Sequence, residues 1–180
     1  MRAALATALA ELDMTAGWHD KWLQICETSE RTASLGAALG RLLAPGDVIC
    51  LSGELGAGKT VFSRGIGVGW GATVPLTSPT YNLAHEHERR RDKTRLYHLD
   101  FYRIRGPRDA ATLGIHEILE GGDIVIFEWP ERILELLPAE RLWIEIMMHE
   151  DEKRALTLAA LGARHCALLT ELRLALGDLL

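Results

Sequence analysis

An α/β fold, with a central mixed β-sheet flanked by helices, follows from three features of this 180-residue sequence. Two apolar runs, Val48-Ile49-Cys50-Leu51 and Ile124-Val125-Ile126-Phe127, have strand length and no polar break, the pattern of strands covered on both faces. The first leads directly into Gly53-Glu54-Leu55-Gly56-Ala57-Gly58-Lys59-Thr60, which fits G-x-x-x-x-G-K-[ST], and a helix-compatible stretch follows over residues 61–66. Helix-like and strand-like segments then alternate along the chain. Strand, glycine loop and helix start in that order predict a P-loop NTPase-like single domain.

Composition sets the bounds. Apolar residues make up 48% and charged residues 25%, enough to build a core and still present a wettable surface. A formal net charge of −5 excludes a protein whose whole surface grips nucleic acid, while leaving a local basic patch open. Cys26, Cys50 and Cys166 are far apart and lack C-x-x-C spacing, so neither zinc nor a disulfide framework is expected, and the usage suits a reducing cytoplasm. No apolar run reaches the length of a membrane span. Residues 1–10 superficially resemble a signal peptide. Their apolar stretch is short and alanine-rich, and Glu11 and Asp13 follow at once, so a frayed helix or tail is the reading.

Residues 1–27, with Trp18 and Trp22, carry no assignable pattern. Leu35, Ala38, Leu39 and Leu42 form a stripe at helical spacing and predict a helix over 28–43, and Pro45-Gly46-Asp47 turns into the first central strand. Gly67, Gly69 and Gly71 are expected to end the helix after the glycine loop. Strands over 81–87 and 95–99 flank a charged tip, residues 88–93, and read as a hairpin. Leu113, Ile115, Ile118 and Leu119 predict one helix over 109–119, stopped by Gly121-Gly122. After the second central strand, Pro130 leads to a short helix over 133–137. Segments 142–148 and 155–161 form a second hairpin, and a helix covers 163–180.

The glycine loop carries the first chemistry. Its backbone N–H groups and the helix start make an anion cradle, Lys59 reaches toward β/γ-phosphates, and the Thr60 hydroxyl is a Mg²⁺ ligand. Phosphoryl transfer also needs a carboxylate to order the metal or the water. Glu128 ends the second central strand, where it either coordinates metal or simply marks the exit to solvent. Asp100 ends the strand 96–99 within His98-Leu99-Asp100-Phe101-Tyr102-Arg103 and is either a turn residue or a second carboxylate of the site. Thr77-Ser78-Pro79-Thr80 supplies hydroxyls around a rigid proline and reads as an ordinary loop or as one that senses the γ-phosphate. Trp129 packs in the core or walls the site. His98 either bonds into the Asp100 network or is structural or exposed, and Arg103 and Arg132 either neutralise transition-state charge or are solvated surface arginines; none of the three is assigned to the site. Arg89-Arg90-Arg91, Lys93 and Arg95 form a basic tip, either solvated or a dock for RNA phosphate or an acidic protein face.

Four blocks in order, the glycine loop, Ser78-Pro79-Thr80-Tyr81, the His98–Arg103 block and Glu128-Trp129-Pro130-Glu131-Arg132, resemble the TsaE (YjeE) family of bacterial ATPases. The resemblance covers residues 28–161. It implies an N-terminal extension at 1–27, a P-loop ATPase domain at 28–180, and a role in making threonylcarbamoyladenosine on tRNAs that read codons beginning with A. It implies ATP and Mg²⁺ as cofactors. It also implies slow hydrolysis that supports the TsaD synthase and TsaB, with tRNA met only indirectly. Carried over, Glu54, Leu55, Gly56, Ala57, Gly58 and Lys59 cradle the phosphates, and Thr60 and Glu128 bind Mg²⁺. Asp100 serves hydrolysis, Trp129 supports the site and Thr28 contacts the adenine side. No arginine stands out as a finger, which accords with a partner-activated ATPase. A small-molecule kinase and a non-catalytic nucleotide-binding adaptor are the alternatives. The lack of a long lid insertion speaks against the kinase.

Overall fold

A computed structural model describes residues 17–79, 83–149 and 153–177. Among these residues, seven strands form one mixed sheet: β1 (Asp20–Cys26), β2 (Val48–Ser52), β3 (Ala84–Glu88), β4 (Arg95–Asp100), β5 (Ile124–Glu128), β6 (Arg141–Met148) and β7 (Arg154–Leu161). Their order is β1-β7-β6-β2-β5-β4-β3. The inner strands β6, β2, β5 and β4 run parallel, and antiparallel partners extend the sheet on both sides.

Both apolar runs are the sheet's buried centre. Ile49, Leu51, Ile124 and Ile126 face one side, under α1 (Ser29–Leu42), α2 (Lys59–Trp70) and α5 (Ala163–Gly177). Val48, Cys50, Val125 and Phe127 face the other, under α3 (Pro107–Ala111), α4 (Ile115–Glu120) and a 3-10 segment, Pro130–Leu136. Alternation along a strand sends successive side chains to opposite faces, so His98, Asp100 and Glu128 share the α2 side with Ile124 and Ile126.

Several expectations change. Residues 20–26, within the segment set apart as an extension, pair along their whole length with β7. That partner lies more than a hundred positions away, beyond any local pattern. The helix after the glycine loop does not end at Gly67. It continues through Gly69 to Trp70, and Gly71, at φ +88°, caps it with its N–H on the Gly67 and Val68 carbonyls. Gly65 and Gly69 instead press on α1, where a Cβ would collide with the carbonyl oxygens of Ala33 and Ala37. The helix expected over 109–119 is two helices, because Gly114 takes φ +71° and re-aims the chain so that Ile115 is buried. Thr80 and Tyr81, the turn of the second hairpin at 150–152 and the chain ends at 1–16 and 178–180 lie outside the described residues.

Asp47 anchors the start of β2. It is fully buried, accepts the Ala44 N–H at 2.8 Å and takes two hydrogen bonds from the Arg164 guanidinium of α5, at 2.8 and 2.7 Å. This fixes the level at which β2 delivers the glycine loop.

Candidate phosphate-binding site

β2 ends at Ser52 and α2 begins at Lys59, so the glycine loop bridges a parallel strand and a helix N-terminus. Gly58 sits at φ +113° at the head of α2, a conformation that a side chain would strain, and Phe62 N–H donates to its carbonyl at 3.0 Å. Amides at the head of a 12-residue helix are the donors an anion needs. Lys59 is buried, and its Nζ donates to the carbonyls of Gly53 at 2.5 Å and Glu54 at 2.9 Å. Burial pulls its pKa below the ordinary lysine value, opposed by Glu128, Glu131 and Asp100.

Register brings the carboxylates to the loop. Asp100 pairs opposite Glu128, and Glu128 opposite Leu51, two residues before Gly53. All three points lie at the carboxyl ends of adjacent parallel strands, where open α/β sheets bind ligands. Both carboxylates are 2% exposed, which disfavours the reading of Glu128 as a mere exit to solvent. His98 Nε2–H donates to Glu128 Oε1 at 2.9 Å, with both side chains buried. Asp100 accepts from Ser78 Oγ at 2.9 Å and from the Tyr102 N–H at 2.8 Å.

Trp129 adopts φ +59°, ψ +48°, a left-handed conformation rare for an aromatic residue. Such strain costs about 1–3 kcal/mol and is held by surrounding contacts. Here the Trp129 N–H donates to the Leu51 carbonyl at 3.2 Å, and its ring packs 5.1 Å from Tyr102. The turn places the indole 4.0 Å from Lys59 Nζ.

These groups surround a cavity of about 290 Å³ lined by Lys59, Thr60, Ser78, Asp100, Glu128 and Trp129, with Leu55, Gly56 and Gly58 at its loop side. Leu55 is 72% exposed, and Ala57 is buried beneath the loop. A second cavity, about 360 Å³, lies beside it and is lined by Thr28, Glu27, Glu30 and Arg154. Thr28 is also the N-cap of α1, where its hydroxyl accepts the Arg31 N–H at 3.2 Å.

The remaining candidates fall elsewhere. Arg132 donates to the Ile104 carbonyl at 2.9 Å, and Arg103 lines neither cavity. The basic tip is not simply solvated. Arg89 is buried, pairs with Asp92 at 2.7 Å and lies 4.8 Å over the Trp70 ring, leaving Arg90 and Arg91 exposed. Sequence reasoning missed Arg154, whose Nε–H donates to the Ala57 carbonyl at 2.8 Å across 97 positions. No motif marks it.

The family model described as Threonylcarbamoyl adenosine biosynthesis protein TsaE matches residues 26–156. The tRNA threonylcarbamoyladenosine biosynthesis protein TsaE of Bacillus subtilis is 36% identical over 152 residues, covering 84% of this chain and 92% of that protein. Its Mycobacterium leprae counterpart is 42% identical over 128 residues, covering 68% and 80%. The crystal structure of Bacillus subtilis YdiB superposes with a TM-score of 0.73 at 32% identity, covering 86% of this chain and 95% of that one.

Proposed function

Since the chain belongs to the TsaE family, we propose that it binds ATP with Mg²⁺ and hydrolyses it in support of tRNA threonylcarbamoyladenosine biosynthesis. The observation that carries this reading is the convergence of Lys59, Thr60, Asp100 and Glu128 at the carboxyl ends of adjacent strands. The loop amides and Lys59 would hold the β- and γ-phosphates, and Lys59 would exchange its two backbone carbonyl partners for phosphate oxygens.

The donor set fits Mg²⁺. A hydroxyl and buried carboxylates are hard oxygen ligands, and Mg²⁺ takes one or two carboxylates with the phosphates and waters completing its shell. Thr60 and Glu128 would hold it. Mg²⁺ when bound neutralises charge developing on the phosphates. Asp100, held by Ser78 and the Tyr102 amide, stands ready to accept a hydrogen bond from the attacking water. The Trp129 ring, 4.0 Å from Lys59 Nζ, would wall that side of the site.

On this reading the protein works in the cytoplasm, TsaB and TsaD are its partners, and tRNA is met only through them. Among the described residues no helix is long and apolar enough to cross a membrane. Calorimetric titration of ATP with Mg²⁺ into the intact protein tests the first step, and phosphate release with and without TsaB and TsaD tests the second. Saturable binding, slow release alone and faster release with the partners are expected. Glu128→Ala should cut release by about a hundredfold or more while the protein stays folded, the scale of losing an electrostatic group at the reacting phosphate. No ATP binding, or full turnover by Glu128→Ala, overturns the reading.

A further inference from the structure

Register places Met147 of β6, Ala155 and Thr157 of β7, and Leu23 and Ile25 of β1 on the same face of the sheet as Trp143. On that side α3, α4 and the 3-10 segment pack against one another and against β2. The apolar cluster beneath them reaches β6 and β7 only at Trp143 and Ala159. Further along the two strands, Ala155 is 6% and Thr157 0% exposed, and Thr157 Oγ1 has no hydrogen-bond partner among the described residues. Ala155 belongs to neither apolar cluster, and the same holds for the half-buried Leu23, Ile25 and Met147. A sheet face open to solvent stays wet at its middle strand, so this dryness requires a cover. The chain before β1 arrives on this very face. The Trp18 ring packs 6.2 Å from that of Trp143, and the Arg141 guanidinium lies 5.7 Å from it. Upstream, the three leucines of residues 1–16, Leu5, Leu9 and Leu12, fall with Ala8 at i, i+3, i+4 and i+7, one face of a helix, while Thr7 and Glu11 fall opposite. A helix of that length spans about 24 Å, and seven strand residues span about 23 Å. Running back from Trp18, such a helix matches β1 from end to end and brings Asp13 to the level of Lys21, an opposite charge on the same face.

We propose that residues 1–16 dock as a helix on this face of β1, β7 and β6, with Leu5, Leu9 and Leu12 turned toward Leu23, Ile25 and Met147. Docked there, the segment shields apolar side chains at the edge of the sheet, where β1 has β7 on one side and no further strand on the other among the described residues. It also props the strand that leads directly into Glu27 and Thr28, one wall of the second cavity.

The test uses the full chain. In the unsubstituted protein, methyl NOEs should join Leu5, Leu9 or Leu12 to Leu23 or Ile25, and they should arise within one molecule when labelled and unlabelled copies are mixed. Leu9→Asp combined with Leu12→Asp should speed amide exchange over residues 20–26 about tenfold or more, the scale of undoing leucine burial. Exchange over residues 48–52, in the sheet's centre, should change by less than about twofold. Glu11→Ala, on the polar face, should leave both stretches within about twofold. Absence of the NOEs, or equal exchange over 20–26 in the double variant and the unsubstituted protein, overturns the proposal. NOEs that arise only between copies, with a dimer in sedimentation, would mean that a second molecule covers the face, and they overturn it too. Should the double variant fail to fold, the NOEs of the unsubstituted protein decide alone.

Discussion

Glu128 shows what one buried side chain can do for another. A carboxylate at 2% exposure is stable only with partners, and the imidazole of His98 supplies one from the neighbouring strand. The hydrogen bond pins one carboxylate oxygen and so sets where the other points. Groups that orient a ligating side chain are typically worth about 10–100-fold in metal affinity or activity. His98→Ala is therefore expected to leave ATP affinity without Mg²⁺ near the unsubstituted value and to diminish the affinity gained on adding Mg²⁺. Titrations with and without the ion check this, and an unchanged Mg²⁺-dependent gain would show that His98 only fills space. The strand-end position of Glu128 was legible because an apolar run stops there. His98 was not, since nothing in a single sequence says that its ring meets a carboxylate thirty positions away.

At the scale of elements, glycine misled. In isolation a glycine lowers helix stability, so Gly67, Gly69 and Gly71 read as stop signals. Only Gly71 stops the helix, because only there does the backbone enter the left-handed region. Gly65 and Gly69 of α2 face Ala33 and Ala37 of α1, while Gly36 and Gly40 of α1 face Phe62 and Ile66 of α2. Small residues spaced by four on both helices let the two backbones touch. An exposed helical glycine replaced by alanine would gain about 1 kcal/mol of propensity. Gly69→Ala should instead lose about 1–3 kcal/mol or more, because the obstacle is a backbone carbonyl that cannot rotate away. Urea unfolding checks the sign, and stabilisation would mean that the helices separate freely. The paired spacing was present in the sequence. Its meaning depended on two helices lying side by side.

Across the whole molecule, acid stability follows from a buried histidine outside the phosphate site. His87 is 4% exposed, and neither ring nitrogen has a hydrogen-bond partner among the described residues. Burial, reinforced by His98 and His85, lowers its pKa to about 4. The unfolded chain, with an ordinary histidine near pH 6.5, binds a proton that the folded one refuses. Stability is complete above that value and is lost as pH falls from about 6.5 toward 4, by at most about 3 kcal/mol. His87→Leu should flatten this part of the profile in urea melts at pH 7 and pH 5, and an unchanged slope would assign the acid loss to other groups. The fold itself was largely written in local pattern. Two uninterrupted apolar runs are stable as strands covered on both faces, and a glycine loop ending in Lys-Thr marks the passage from strand to helix start. Those features determined the α/β class, the glycine loop between strand and helix, and the strand ends that stand beside it. Tertiary structure alone decided that β1 belongs to the sheet, that Trp129 turns back over Lys59, and that Arg154 reaches Ala57. Each of these joins residues far apart in the chain or holds a strained backbone angle. Such arrangements are stabilised by contacts that exist only once the strands have paired, so they leave no period or spacing to read.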